Sequence, residues 1–530
     1  MKFNDLSRPL AILTLTALAA CGGGSSGTPR TIAPVPIVTP AGGTPLVGIG
    51  DSLTAGYQSS GFLGQANPLV TSPLSAYPGG AVPPGQENGF WADIFVQLTG
   101  VPAASMYVPA TSPLPLIAGP GLASQLVINA TSLFASTHSG CDAFNDAAYS
   151  PTAYASTRLA NTQNLDLGVP GITMHEAVAM TGPLTGPPNA PNCGYKVIAN
   201  DPTSGGLQSL VSGESALFYP VMGAYLNTAV SQLTELNVAV ALQPKLATVW
   251  LGANDVLKFS FSGGNPVASD SPTQMQADLT QIIKALTAKG TKVLIADLPN
   301  VLSSPQFFPQ GNRLIADLAT LLTPALGGSA TAAATAISSY VATKYGVTTG
   351  GYLTESGFLA IVQGCSASPS TCLTPQLDPS GTGSGLGAYY LTPAFATQVA
   401  QLNAGYNGVI DAVASGSGSS VALVPINATF SALAPSLTVP GSAPNLDTIQ
   451  PGAPSATFQF GGNLVTWDGL HPSNLGYAVI ANTFIQTADT AFGMTIPTIT
   501  NAQLNAIAAA DPYNGTNIDA ALGEPIFPLP

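Results

Sequence analysis

The fold this chain predicts is a doubly wound α/β sandwich, and three observations predict it. Five short apolar, β-branched runs recur along the chain, helical stretches with clear starts and stops separate them, and residues able to do chemistry follow the ends of the runs. The runs are 46–49, 165–169, 246–251, 292–296 and 421–426. They are continuous rather than alternating, so they read as parallel strands buried on both faces, and a central parallel five-stranded sheet is expected between two helical layers, a three-layer α/β/α sandwich.

The helices follow from period and capping. One starts with Ser271 as N-cap and Pro272 at the first helical position, carries Met275, Leu279, Ile282, Ile283 and Leu286, and stops at Gly290. Thr392 and Pro393 open another, with Phe395, Val399, Leu402, Tyr406 and Val409 at helical spacing. A third runs from about Asn474 to Ala491.

A length of 530 residues would ordinarily mean about three domains. The chemistry-bearing residues near 52 and 471 have to converge, however, so 45–493 reads as one domain with long insertions at 57–88, 101–160, 182–222, 300–390 and 427–462. These Gly-, Pro-, Ser- and Ala-rich stretches are expected to wall the ligand site. Residues 494–530 form a C-terminal tail with no assigned element.

Lys2 and Arg8 precede an apolar stretch from Leu10 to Ala20, far shorter than the roughly twenty residues of a membrane-spanning helix. Residues 1–20 therefore read as a secretory signal peptide. Leu18-Ala19-Ala20-Cys21 resembles the lipobox of bacterial lipoproteins, which implies a lipid attached to Cys21. Residues 21–44, opening Gly22-Gly23-Gly24-Ser25-Ser26-Gly27, read as a flexible tether. An exported chain anchored through its lipid to the cell envelope is expected, with Gly22 after the cysteine pointing to the outer membrane. The other four cysteines, Cys141, Cys193, Cys365 and Cys372, are an even number, which in an exported chain suggests two disulfides, Cys365 to Cys372 and Cys141 to Cys193, with free or differently paired thiols the alternative. Their spacings do not suit zinc, and no metal is expected.

Twelve Lys and Arg stand against 25 Asp and Glu, a formal net charge of −13, which argues against nucleic acid as a partner. Charged residues make up only 7% of the chain while Gly, Ala, Ser, Thr and Pro are abundant, so its surface has to be made largely of small neutral side chains.

The first strand ends in Gly50-Asp51-Ser52-Leu53, and far downstream comes Asp468-Gly469-Leu470-His471. A serine hydroxyl is a poor nucleophile until an imidazole takes its proton, and the imidazole needs a carboxylate to orient it. Gly168-Val169-Pro170-Gly171 follows the second strand and Gly252-Ala253-Asn254-Asp255 the third. With these four ordered blocks the chain resembles the GDSL, or SGNH, hydrolases, whose fold is flavodoxin-like. The resemblance implies Ser52 as nucleophile, His471 as base, Asp468 orienting His471, and an oxyanion hole made by the backbone N–H groups of Ser52 and Gly171 and the amide of Asn254. Such preorganised donors each lower the barrier by roughly 3 kcal/mol. The α/β-hydrolase elbow, G-x-S-x-G, is excluded because Thr54 stands where its second glycine belongs.

Of three histidines only His471 has a neighbouring acid in motif; His138 and His175 read as loop or supporting residues. Asp51 and Asp255 read as turn or helix caps rather than as metal ligands. Trp250, Trp467, Phe90 and Trp91 read as core. No phosphate loop or dinucleotide fingerprint occurs, so no cofactor is expected. The expected activity is carboxylic ester hydrolysis by an esterase or lipase. Apolar loops such as Phe307-Phe308 and Gly357-Phe358-Leu359-Ala360-Ile361 lean towards lipid esters. The alternatives are a polysaccharide O-deacetylase or acyltransferase on the same fold, and a non-catalytic surface binding protein.

Overall fold

The computed structural model describes residues 43–58, 88–101, 164–179, 221–222, 225, 234–266, 269–304, 306–309, 330–354, 357, 361, 377, 385–433, 464–466 and 469–511. The calls on Cys21, Cys141, Cys193, Cys365, Cys372, His138, Trp467 and Asp468 lie outside them.

Four of the predicted runs form one parallel sheet: β1 (Thr44–Gly50), β2 (Pro244–Trp250), β3 (Lys292–Ala296) and β7 (Val421–Val424), side by side in that order. Gly50 lies level with Trp250, and Ala296 with Val424, so their carboxyl ends share one edge. The expected fifth strand is corrected. Residues 165–169 run beside the free edge of β1, where Leu167 N–H donates to Gly48 O and Val169 N–H to Gly50 O, but they form only an isolated bridge, Gly48 to Asp166. Gly48 N–H in turn donates to Leu165 O at 2.9 Å, and the buried Asp166 carboxylate accepts Gly168 N–H at 3.1 Å.

Helices pack in two groups on this sheet. α1 (Phe90–Thr99) lies against β1, and α9 (Asn474–Phe492) against β3, β7 and α1. Phe90 and Phe484 stack at 4.8 Å, with Trp250 edge-on to Phe90 at 5.4 Å. α3 (Glu235–Leu242), α5 (Pro272–Thr287) and α7 (Pro393–Gly416) make the second group, with the short α2 (Met174–Ala179) against α3 and α5. The starts of α5 and α7 are as expected, Ser271 accepting from Gln274 N–H and Thr392 from Phe395 N–H, each followed by its proline. α4 (Ala253–Phe261) leaves the end of β2, and α8 (Ile426–Leu433) follows β7.

The 300–390 insertion carries structure of its own: α6 (Ala330–Tyr345) and strands β4 (Phe307–Pro309) and β5 (Tyr352–Thr354), which form an antiparallel sheet with β6 (Tyr390–Leu391). Phe307 is 2% exposed and stacks on Phe261 at 5.9 Å, so it belongs to the core rather than to an exposed apolar loop. The tail supplies α10 (Asn501–Ala510), packed on α9.

Candidate active site

The site forms where β1, the 165–169 segment and β2 reach their carboxyl ends, the crevice at which open α/β sheets bind ligands. A tight turn follows β1, closed by Ala55 N–H to Asp51 O at 3.0 Å and Tyr57 N–H to Ser52 O at 2.9 Å. This turn lies directly on the neighbouring segment. A Cβ on Gly168 would sit 2.7 Å from both Ala55 N and Asp51 O, and one on Gly50 would sit 1.9 Å from Thr54 Oγ1, so glycine is required at both positions.

Glu235, the first residue of α3, ties the two edges together. Its buried carboxylate accepts Gly50 N–H at 3.2 Å and Val169 N–H at 3.1 Å, one oxygen to each. Burial pushes this carboxyl well above the usual range. The sequence reading passed over Glu235. The available signal was an acid opening an otherwise apolar helix in a chain that spends few charges.

His471 Nε2 lies 2.8 Å from Ser52 Oγ, across 419 positions of sequence, with the two residues 7% and 8% exposed. The histidine is held on several sides. Its carbonyl accepts Thr466 N–H at 2.8 Å, Ser304 Oγ donates to Gly469 O at 2.7 Å, and the Tyr57 ring lies 5.1 Å from the imidazole. Asp468, its expected orienting partner, lies outside the described residues.

Asn254 lies in the first turn of α4, and Gly171 takes φ 90°. The Asn254 amide nitrogen donates to Asp51 Oδ2 and to Ile172 O, both at 3.0 Å, so both its hydrogens have protein acceptors. Asp51 takes the local role expected of it, its Oδ1 accepting Leu53 N–H at 2.9 Å, and the link to Asn254 is an addition that the sequence did not disclose. Burial pushes the Asp51 carboxyl up to about 7, opposed by the Leu53 N–H, His471 and Lys258.

Behind Asn254 lies a second acidic layer. Asp255 accepts Met174 N–H at 3.1 Å and Asp270 N–H at 3.0 Å, capping α2 from another element. Burial raises Asp255 well above its usual range, and Asp270, next to it, rises to about 6. Lys258 pairs with Glu176 at 3.3 Å, both side chains buried. His175 Nδ1 faces Asp278 at 3.0 Å. Among the described residues no group of three His, Cys, Asp or Glu side chains is arranged to hold a metal ion.

The arrangement gives a hydroxyl an acceptor for its proton, next to Asp51, which is bonded to the amino end of α4. No curated protein and no solved structure matches the chain. The model of one family, GDSL-like Lipase/Acylhydrolase, matches residues 46–484, a span that opens in β1 before Ser52 and ends in α9 beyond His471. On that match, which takes in most of its length, the chain belongs to the GDSL-like lipase/acylhydrolase family.

Proposed function

We propose that this acylhydrolase-family chain is a serine carboxylic ester hydrolase, an esterase or lipase, acting through an acyl-enzyme on Ser52. The observation that carries the reading is the 2.8 Å contact between Ser52 Oγ and His471 Nε2. Ser52 Oγ attacks the ester carbonyl carbon while its proton passes to His471 Nε2. Collapse of the tetrahedral intermediate expels the alcohol, which takes that proton. Water then attacks the acyl-enzyme, again giving its proton to His471, and Ser52 regains its own as the acid departs. Asp468 orients His471. The N–H groups of Ser52 and Gly171 and the Asn254 amide hold the developing oxyanion, for which Asn254 shares the hydrogen now directed at Ile172 O or Asp51. No cofactor enters these steps.

The finer organisation belongs to the same proposal. The two helix groups are the outer layers of a three-layer sandwich, and 45–493 is one hydrolase domain. Residues 1–20 direct export, Cys21 carries a lipid that fixes the chain to the envelope at the outer membrane, and the stretch from Cys21 up to β1 tethers the body. Cys141, Cys193, Cys365 and Cys372 form two disulfides.

The test is hydrolysis of p-nitrophenyl esters from acetate to palmitate by the full-length chain, beside Ser52→Ala and His471→Ala. Loss of turnover by at least about a thousandfold in both variants is expected, and the chain-length profile separates esterase from lipase. Turnover surviving in Ser52→Ala refutes the nucleophile. Activity confined to acetylated polysaccharides moves the reading to a deacetylase.

A further inference from the structure

The chain beyond the family match is tied back to the folded body. After Gly493 it reverses and runs back along α9, held to it by hydrogen bonds at three levels. Asp489 Oδ1 accepts Ile496 N–H at 2.9 Å. The Asn482 amide exchanges two hydrogen bonds with the backbone of Ile499, at 3.0 and 2.8 Å. At the far end Asp511 Oδ2 accepts Leu475 N–H at 2.9 Å. Positions 475, 482 and 489 are seven apart, which places them on one stripe of the helix about 21 Å long. Ile496, Ile499, Leu504 and Ala508 are buried along the same path, and a capping box on Thr500 starts α10, which carries Asp511 to its place.

That place is the first turn of α9, immediately after His471. The N-cap Ser473 takes Gly476 N–H, and Asp511, fully buried, takes Leu475 N–H, so two of the free N–H groups of the helix start are satisfied, one of them from the tail. An acidic group there also faces the positive end of the helix dipole. The same turn holds the catalytic wall. Asn474 Oδ1 accepts Gln58 Nε2 at 2.7 Å, and Tyr477 Oη donates to Tyr57 O at 2.8 Å, Tyr57 being the ring beside His471.

We infer that Asp511 is a positioning residue for the hydrolysis, holding the first turn of α9 so that His471 stays in reach of Ser52. The inference rests on the serine-hydrolase reading above. Nothing about Asp511 makes it touch substrate; it acts through the turn. Without it α9 keeps its Ser473 cap and its long buried face, so the helix persists and the lost quantity is the placement of the imidazole. Misplacement by a fraction of an ångström slows proton transfer and leaves substrate binding nearly intact.

The experiment uses the full-length chain with p-nitrophenyl butyrate. Asp511→Ala is expected to lower kcat about tenfold with KM within about twofold. Asp511→Asn, whose amide oxygen still accepts Leu475 N–H, restores most of kcat. Asp489→Ala, which opens the opposite end of the same tail, leaves kcat within about twofold. Should Asp511→Ala fail to fold, Asp511→Ser, too short to reach Leu475 N–H, takes its place with the same expected loss. A readout independent of turnover is the imidazole proton resonance of His471, one of three histidines and assigned by its disappearance in His471→Ala. It is expected to shift in the Asp511→Ala or Asp511→Ser variant and to stay in place in Asp489→Ala. A kcat within twofold of the parent, an equal loss in Asp489→Ala, or an unmoved His471 resonance overturns the inference. If the parent hydrolyses no ester, or Ser52→Ala retains its turnover, it is the serine-hydrolase reading that has failed, and the resonance by itself then decides whether Asp511 positions His471.

Discussion

Acidification should stabilise this protein, the reverse of the usual loss as carboxylates protonate. A carboxyl raised by burial binds its proton more tightly in the folded chain, so folding is favoured while that proton is held and loses the contribution as pH rises through the folded value. For Asp51, moved from 3.8 to about 7, the contribution is complete below about pH 4 and gone above about pH 7. At about 1.4 kcal/mol per pH unit, going from pH 7 to pH 5 gains on the order of 2 kcal/mol from this one group. Asp270, raised to about 6, adds in the same direction, as do Asp166, Glu235 and Asp255, all raised chiefly by burial. The assay is thermal unfolding followed by circular dichroism at pH 8, 7, 6 and 5 at constant ionic strength. The midpoint should climb by several degrees towards pH 5. Asp51→Asn should flatten the part of the slope nearest pH 7. A midpoint that is level or falls between pH 7 and pH 5 refutes the reasoning.

Gly168→Ala should lower both activity and stability, the latter by about 1–3 kcal/mol, because its Cβ drives the turn holding Ser52 away from the 165–169 segment; denaturant titration and ester hydrolysis check it. Lys258→Met should cost about 3–5 kcal/mol by leaving Glu176 buried without its cation, whereas Lys258→Met with Glu176→Gln should recover much of that loss in the same titration. Gln306 is 1% exposed and among the described residues neither polar atom of its amide has a partner, so Gln306→Met should raise the unfolding free energy by about 1 kcal/mol; a loss of stability would show that the amide is satisfied in solution.

What the sequence by itself determined is local. The four sheet strands and the starts of α5 and α7 were legible because apolar runs, Ser or Thr caps and following prolines act within a few residues of where they stand. Ser52 and His471 were legible as a pair because each lies in a short motif with its own chemistry. Only the tertiary structure decided which groups meet. The Ser52 to His471 contact spans 419 positions, the Glu235 carboxylate closes on residues 185 and 66 positions earlier, and Asn254 meets Asp51 across 203. No local pattern encodes such partners, because a buried carboxylate is fixed by whichever free N–H groups the packed backbone brings to it. The same holds where expectation and structure part. Residues 165–169 have a strand's composition, yet beside β1 they make only a single bridge, and Phe307 is apolar enough for a lipid-facing loop until Phe261 takes it into the core. The return of the tail to the first turn of α9 is of this kind too, since the N–H of Leu475 and the carboxylate of Asp511 become partners only when α10 packs along α9.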